Sequence, residues 1–335
     1  MLRDVDRARE RPGIGVPIHT AATEAVSIDV AAPGEVEAVR AFLEVRIESS
    51  VQLLELLESG SPVFRGADGA GRVVAAACVR SDGMAIVQSG ERPDVAVGFA
   101  APIAQSCPRL VEVRGDWDGA VALFAALQRS IALELEFQSK ERLFRWVHGD
   151  TVGRAPPRAP TRAPTHKAAP THKAGDRPRG SAAGRLLHPA DFTDWDRLRI
   201  QFLAEDGLQP SDTPRDRRTA FEVLAHAGRA FGAGEEHGAL RSIAAISAIY
   251  RTHGQVGSVF TERSARGQGM ARAAVEKALQ TARDRLGLST LHLFTEHQNA
   301  PAQALYQSLG FVEGGLYGLV WCRDPRATVH SGDAG

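Results

Sequence analysis

The feature that most constrains this chain is a glycine turn between a strand-like run and a long helical pattern. Residues 256–261 (VGSVFT) are apolar and β-prone, and the helical pattern extends from Gln268 to about Leu286. Between them lies the stretch RSARGQGMAR, residues 263–272. This order predicts a strand that leads through a tight turn into the N-terminus of a helix.

A turn of this kind has the geometry of an anion-binding site. The first N–H groups of a helix have no partner within it, and the helix dipole adds partial positive charge there. Gly267 and Gly269 have no Cβ, so an anion can approach the backbone, and Arg263, Arg266 and Arg272 add full charges. We interpret the turn as a pyrophosphate-binding cradle. The alternative is an ordinary tight turn with solvated arginines.

The spacing of residues in and after this turn resembles one family. Arg266-x-x-Gly269-x-Ala271 is similar to Q/R-x-x-G-x-G/A, the acyl-CoA signature of the GNAT acetyltransferase superfamily. A second β-prone run is followed by NAPAQALYQSLGF at residues 299–311, which resembles the second GNAT motif, N-x-x-A-x-x-L-Y-x-x-x-G-F. The two motifs occur in the family's order. The resemblance covers most of residues 185–321, which is under half of the chain.

The resemblance implies an α/β fold of the α+β kind, in which helices flank a central, mixed and mostly antiparallel sheet. It also implies acetyl-CoA as co-substrate and no metal. The pantetheine arm is expected to pair with the exposed backbone of a strand that splays from its neighbour, and the pyrophosphate with the turn. The residues so implicated are Val259, Phe260, Thr261, Arg266, Gly267, Gln268, Gly269, Met270 and Ala271, with Asn299 as a further contact to the cofactor or its bridging water.

Tyr306 is the predicted general acid. In the helix predicted after Asn299, which can cap it, Tyr306 falls about 100° from Leu305, at the edge of an apolar stripe. It resembles the tyrosine that faces the CoA sulfur in this family. A tyrosine with an ordinary pKa of about 10 is protonated at neutral pH and can donate to a thiolate. The other interpretation is a half-buried structural tyrosine.

The group that deprotonates the amine is left open by the sequence. Acyl transfer to an amine requires a positioned thioester, loss of a proton from the amine and stabilisation of the departing thiolate. Glu262 and His297 follow predicted strands, and four acidic residues lie in predicted loops on the acceptor side. A chain of water molecules is the remaining option. The four loop residues are Glu205, Asp206, Glu235 and Glu236.

The first half of the chain has the element order of the same fold without its site. Residues 26–148 predict the succession β-α-α-β-β-β-α-β-α-β-β. Where the cradle should lie they read SGERPDV, residues 89–95, and Glu91 and Asp94 would repel a phosphate. We interpret this half as a degenerate GNAT-like domain that does not bind CoA strongly. The alternative is an unrelated α/β or α+β domain.

The composition changes outside these two regions. Residues 149–184 are rich in Pro, Ala and Thr, repeat the hexapeptide APTHKA, and carry an excess of basic residues. They predict a linker with polyproline II character, rather than a nucleic-acid-binding arm, because no aromatic residues are interleaved. Residues 1–25 and 326–335 are predicted to be flexible tails, and residues 185–325 the intact GNAT domain.

The overall composition restricts the partners. The chain has 335 residues, a formal net charge of zero and no apolar run of membrane-spanning length, so neither nucleic acid nor a membrane is expected. Its three cysteines are far apart and show no metal-binding or redox spacing, as expected in the reducing cytoplasm. The expected partner is an amine acceptor, either a small molecule or a protein amine.

The sequence therefore predicts a tandem GNAT protein whose second domain is an N-acetyltransferase. The amine would attack acetyl-CoA directly in a ternary complex, since no Cys-His or Ser-His nucleophile pattern is present. The alternative is a non-catalytic CoA-binding sensor or scaffold module. Such a module would keep the glycines and Arg266 but would not need Tyr306.

Overall fold

The two halves of the chain fold into one continuous sheet. The structure, a computed structural model, describes residues 26–149, 182–234 and 238–326. The predicted N-terminal tail, nearly all of the predicted linker and C-terminal tail, and the candidate bases Glu235 and Glu236 lie outside these residues.

The described part of the first half contains six strands and five α-helices. The strands are β1 (Ser27–Val30), β2 (Val63–Ala67), β3 (Val73–Val79), β4 (Met84–Gln88), β5 (Glu112–Asp116) and β6 (Glu134–Val147). The helices are α1 (Val36–Glu44), α2 (Ile47–Glu58), α3 (Pro93–Ala96), α4 (Ala100–Ser106) and α5 (Trp117–Ile131).

The described part of the second half contains six strands and four α-helices. The strands are β7 (Ala183–Leu186), β8 (Ala230–Gly234), β9 (Leu240–Tyr250), β10 (His253–Thr261), β11 (Thr290–Glu296) and β12 (Val312–Arg323). The helices are α6 (Phe192–Glu205), α7 (Pro214–His226), α8 (Met270–Asp284) and α9 (Ala300–Ser308).

Short-range signals in the sequence account for several helix ends. The side chains of Asp116, Thr213 and Asn299 each accept a hydrogen bond from a backbone N–H in the first turn of α5, α7 and α9, respectively. The two helices that the predicted order places after the first strand are α1 and α2, within residues 35–58. Arg46 leaves the helical region of backbone space between them.

The strand order shows that the two halves exchange strands. The order is β1-β2-β3-β4-β5-β12-β6-β11-β10-β9-β8-β7. Strand β6 of the first half pairs with β11 and β12, and strand β12 of the second half pairs with β5 and β6. The sequence predicted separate final strands for the first half near Phe137 and Leu143. They are one long strand instead, and this strand is inserted into the sheet of the second half.

The order of elements is symmetric about the β12–β6 pair. Each strand of the first half has a counterpart six strands later, so that β4 and β5 correspond to β10 and β11. Both of these pairs are parallel, and the other strand pairs of the described residues are antiparallel. This repeat supports the interpretation of the chain as a tandem of two related units, and it confirms the predicted mixed, mostly antiparallel sheet.

The helices cover both faces of the sheet and bury its apolar residues. Helices α1 and α2 pack on one face of the first half, with α3 to α5 on the other. In the second half, α6 and α7 pack on one face and α8 and α9 on the other. The core around α1 and α2 includes Ala248 and Tyr250 of β9, and the core around α8 and α9 includes Phe144 and Trp146 of β6. Each half therefore completes the core of the other.

Candidate active site

The glycine turn has the conformation that its sequence predicts. Gly267 and Gly269 have φ angles of 74° and 82°, in the left-handed region that disfavours other residues. Gly269 is the N-cap of α8, and no side chain in the part of the chain that the structure describes caps this end. A Cβ added to either glycine would meet no atom within 4 Å. The glycines are therefore required by the backbone conformation, and the space beside their Cα atoms is open.

Two of the three arginines at the turn are held by an acidic residue of α6. The Arg266 guanidinium donates to both carboxylate oxygens of Glu205, at 2.8 and 2.7 Å, and its Nε donates to the backbone oxygen of Thr261 at 3.0 Å. Arg263 also donates to Glu205, at 3.0 Å. Burial raises the pKa of Glu205, but the two guanidinium groups outweigh this effect and leave the pKa below its usual value. Glu205 therefore anchors the turn rather than remaining a free base.

The strand before the turn separates from its parallel neighbour. Strand β10 pairs with β11 only from His253 to Gln255, opposite Thr290 to His292. Beyond that point β10 follows β9 through register shifts, and Ser258 adopts a φ of 53°. Such bulges bend a strand away from its neighbour.

The separation of β10 from β11 leaves an opening between the two strands. The backbone that is predicted to bind pantetheine lies at the edge of this opening. Val259 and Thr261 are partly exposed, whereas Phe260 is buried against Phe202 of α6. The side chain of Phe260 therefore belongs to the core. Among the described residues, no strand pairs with the backbone of Val259–Thr261 on its β11 side.

The corresponding strands of the first half, β4 and β5, do not separate. Four of the five residues of β4 pair with β5, from Met84 to Val87. Asp116, at the end of β5, then accepts hydrogen bonds at 2.6 Å from both the backbone N–H and the hydroxyl of Ser89. No comparable opening separates these two strands.

Tyr306 lies in the core between the two halves. Its exposed fraction is 4%, and its ring packs against Phe144 of β6 and Phe311, with ring centroids 5.9 and 5.8 Å away. Its helix begins at the predicted cap, where Asn299 Oδ1 accepts from the Ala302 N–H at 3.2 Å. Burial, and then the nearby carboxylate of Glu141, raise the pKa of Tyr306 well above its ordinary value. The phenol is thus strongly held in its protonated form.

A family comparison agrees with these features. The family model described as "Acetyltransferase (GNAT) family" matches residues 194–311. These residues form a GNAT domain.

Solved structures share the overall fold of the chain. A GCN5-related N-acetyltransferase from Sphaerobacter thermophilus is similar over 88% of this chain and 95% of its own, at 15% identity and a TM-score of 0.52. A Drosophila protein is similar over 89% of this chain and 99% of its own, at 13% identity and a TM-score of 0.51. At these identities the similarity shows the fold alone. No curated protein matches the chain, and the described helices include none with the length and apolar character of a membrane span.

The remaining candidate bases of the GNAT domain differ in whether their side chains form ion pairs or hydrogen bonds. Glu262 accepts from Arg241 at 2.9 Å and from Arg197 at 3.4 Å. His297 Nδ1 accepts from Arg142 Nε at 3.1 Å, so its ring nitrogen is not free. Asp206 follows α6, and burial together with Glu296 and Glu205 raises its pKa to about 6. Of these candidates, Asp206 alone shows no ion pair or side-chain hydrogen bond among the described residues.

Sequence reasoning missed the residues that β6 brings to the GNAT domain. Glu141 of β6 is opposite Glu296 of β11 and Tyr317 of β12, and it is 8% exposed. Phe144 of the same strand covers Tyr306. No motif marks these residues, and they come from the half that the sequence assigns to another domain.

A histidine pair, with His292 buried and His253 half-buried, lies where β10 and β11 begin to separate. His253 Nδ1 and His292 Nε2 are 3.2 Å apart, and His292 is fully buried, without a partner for its Nδ1. Burial lowers the pKa of His292 to about 3, with further contributions from His253 and Arg145.

We expect His292 to make the protein less stable in acid. The unfolded residue takes up a proton below a pH of about 6.5 and the native residue only near its lowered pKa, so stability falls as the pH decreases through that interval. The expected loss between pH 7 and pH 5 is about 2 kcal/mol. Chemical denaturation of His292→Gln at both pH values should show a correspondingly smaller difference, whereas the exposed control His297→Gln should not. An unchanged difference in His292→Gln would refute this account.

Proposed function

We propose that this protein is an acyl-CoA-dependent N-acyltransferase that transfers acetyl from acetyl-CoA to an amine by direct attack in a ternary complex. The observation that carries the proposal is the separation of β10 from β11 beside an uncapped helix N-terminus. An open strand edge offers main-chain partners to the amides of an extended ligand, and a helix N-terminus offers N–H groups to its phosphates.

Each part of the opening has a proposed role in holding the co-substrate. The backbone of Val259–Thr261 would pair with pantetheine, and the N–H groups of Gln268 to Ala271 would bind the pyrophosphate. Gly267 and Gly269 supply the required turn. Arg266 fixes this turn through Glu205 and adds positive charge beside it. Asn299 keeps α9 in place as its cap, close to the reacting end.

Tyr306 is proposed as the acid that protonates the departing thiolate. Its raised pKa keeps the phenol protonated, so that its O–H can donate a hydrogen bond to the developing thiolate and pass its proton to that sulfur as the thiol forms. Phe144 and Phe311 fix its ring, which limits the orientations of the hydroxyl.

The acceptor is proposed to be a cationic amine, carried by a small molecule or by a protein. Glu296 raises the pKa of Asp206 and that of Glu141, its cross-strand neighbour, so negative charge is concentrated around the end of β11. An ammonium group entering among these carboxyl groups would relieve their mutual repulsion.

The first half is proposed to support the site without binding CoA. Its β4–β5 pair is closed, and at the place of the glycine turn, residues 89–95, it carries Glu91 and Asp94, whose carboxylates would repel a phosphate. We therefore expect one acetyl-CoA per chain.

Two experiments test this proposal. The first is calorimetric titration of acetyl-CoA into the full chain, and the second is a thiol-release assay with a panel of amines. The panel should include spermidine, glucosamine, ethylamine and a lysine-containing peptide. One site per chain and transfer to an amine would support the proposal, and two sites would contradict the closed first half. Binding without transfer to any of these amines would favour the sensor alternative, and absence of binding would refute both.

A further inference from the structure

One arginine of α6 combines partial burial with the lack of a counter-ion. Arg199 is partly buried, and it forms no ion pair and no side-chain hydrogen bond among the described residues. The other described arginines without such a partner are all exposed; they are Arg109, Arg129, Arg215 and Arg285. Removal of a charge from water without a counter-ion is costly, so an anion bound at Arg199 would be stabilising.

The guanidinium group of Arg199 can be reached by a ligand. In the described part of the chain, the buried side-chain nitrogen and oxygen atoms without a hydrogen-bond partner belong to Gln52, Arg65 and His292. The unpaired nitrogen atoms of Arg199 are not among them, so they are in contact with solvent. A ligand could therefore bind this group without any rearrangement of the core.

A chain of ring contacts connects Arg199 to the open strand. Its Cζ lies 5.4 Å from the centroid of the Phe202 ring, one turn further along α6. The Phe202 ring in turn lies 5.8 Å from the ring of Phe260. Phe260 is the middle residue of Val259–Thr261, whose backbone is proposed to bind pantetheine. The positive charge is therefore one aromatic side chain away from the strand that would hold the co-substrate.

The same face of α6 ends in a carboxyl group. Arg199 and Asp206, the C-cap of α6, are about two helical turns apart, so they lie near the same face at roughly 10 Å along the axis. Asp206 directly follows Glu205, which holds Arg266 at the end of β10. Phe202 lies between the two charged residues. This face of α6 thus presents a cation, an aromatic ring and a carboxyl group in that order.

A cleft opens from solvent at the end of β11. It has a volume of about 460 Å³, and its lining residues include Glu296 of β11 with Gln138, Ser139 and Lys140 of β6. Glu296 also acts on Asp206, whose pKa is raised by burial, by Glu296 and by Glu205. The cleft therefore gives the ammonium group of an acceptor a route to the negative end of this face.

The charged neighbours of Arg199 do not neutralise it. Burial has the largest effect and lowers the pKa of Arg199, and Arg114 acts in the same direction. Glu112 and Asp212 oppose this change, but Glu112 is paired with Arg114 and Asp212 with Arg217. The pKa remains below its ordinary value, as expected where negative charge is deficient. An anionic group of a ligand can supply that charge.

We propose that Arg199 binds a carboxylate of the acceptor, and that the acceptor is an ω-amino carboxylic acid. Its ammonium group would lie at Asp206 and Glu296, and its apolar chain would cross the ring of Phe202. A guanidinium group suits this role, because it can donate two parallel hydrogen bonds to one carboxylate. This proposal rests on the proposed N-acyltransferase function and narrows its acceptor.

Two acceptors of matched length test this assignment in the full chain. 5-Aminopentanoate and pentylamine carry the same primary amine on an unbranched chain, and they differ in the carboxylate at the other end. We expect the wild-type kcat/KM in the thiol-release assay to be about 50-fold higher for 5-aminopentanoate, because only this acceptor can pair with Arg199. Arg199→Gln should reduce this preference to less than about threefold.

Two further variants serve as controls. Arg199→Lys keeps the charge but loses the planar fork, so it should retain a preference of about tenfold. Arg129→Gln makes the same change as Arg199→Gln at an exposed, unpaired arginine of α5, and it should keep the wild-type preference.

The outcomes separate this proposal from the proposed function. Equal use of the two acceptors by the wild-type protein would overturn the proposal, and so would a preference that survives Arg199→Gln. An equal loss with both acceptors in Arg199→Gln would assign Arg199 a structural role and would also overturn it. In each case, transfer by the wild-type protein still supports the N-acyltransferase function. If the wild-type protein binds acetyl-CoA but transfers to neither acceptor nor to any amine of the panel, the proposed function itself fails, and the role of Arg199 fails with it.

Discussion

Gly269→Glu should abolish acetyl-CoA binding, with an affinity loss of at least about 100-fold, or about 2.7 kcal/mol. The substitution places a carboxylate where the N–H groups at the start of α8 would meet a pyrophosphate. A Cβ at this position meets no protein atom within 4 Å, so the new side chain would extend into the proposed binding site rather than into the core. Calorimetric titration of the full-length variant measures the effect.

Two controls separate this charge effect from backbone strain. Gly269 has a φ of 82°, so any side chain there costs about 1–2 kcal/mol of stability. Gly269→Ala carries that strain without the charge and should keep most of the affinity. Gly287→Glu adds the same charge at another positive-φ glycine with open space around its Cβ, at the far end of α8, and should bind normally. Equal affinities for Gly269→Glu and Gly269→Ala would show that the turn does not bind the pyrophosphate.

The turn could be predicted from sequence because its determinants are local. A positive φ at two positions requires glycine, and an apolar strand before them and a helical period after them complete the unit. The capping of α9 by Asn299 is local in the same way. The assignment of ligand-binding roles to these residues stays a prediction that the binding experiments test.

The exchange of strands could not be predicted because pairing partners are not encoded locally. Strand β6 contains the polar stretch QSKER, residues 138–142, which interrupts the alternation expected of a strand. In the structure this stretch passes between β11 and β12, where Gln138, Ser139 and Lys140 line the cleft. The polar residues that obscured the strand are therefore those that contribute to the candidate site.

The burial of Tyr306 follows from the same exchange. Helical periodicity placed this residue at the edge of the apolar stripe, because periodicity describes only the helix itself. In the structure Phe144, from the other half of the chain, packs over its ring. A domain cut between the halves would lose β6, and with it both this contact and Glu141.

Tyr306→Phe should reduce kcat about 1,000-fold while acetyl-CoA affinity changes by no more than a few fold, since general acid catalysis contributes about 10²–10⁴. The hydroxyl has no hydrogen-bond partner among the described residues, and the ring is held by Phe144 and Phe311. Its removal should therefore leave the free energy of unfolding within about 0.5 kcal/mol of the wild-type value. Steady-state kinetics, calorimetric titration and chemical denaturation measure the three quantities.

Tyr250→Phe is the matched control, because it should give the opposite pattern. Its hydroxyl donates to Glu44 at 2.5 Å and accepts from Arg40 at 3.3 Å, and it lies in the core around α1 and α2. Loss of these bonds should cost about 1 kcal/mol of stability without changing kcat. Two results would rule out Tyr306 as the acid. In the first, Tyr306→Phe keeps its kcat. In the second, it loses stability and activity together, as expected of a structural residue. A selective loss of kcat at unchanged stability is the result that only a role in proton transfer predicts.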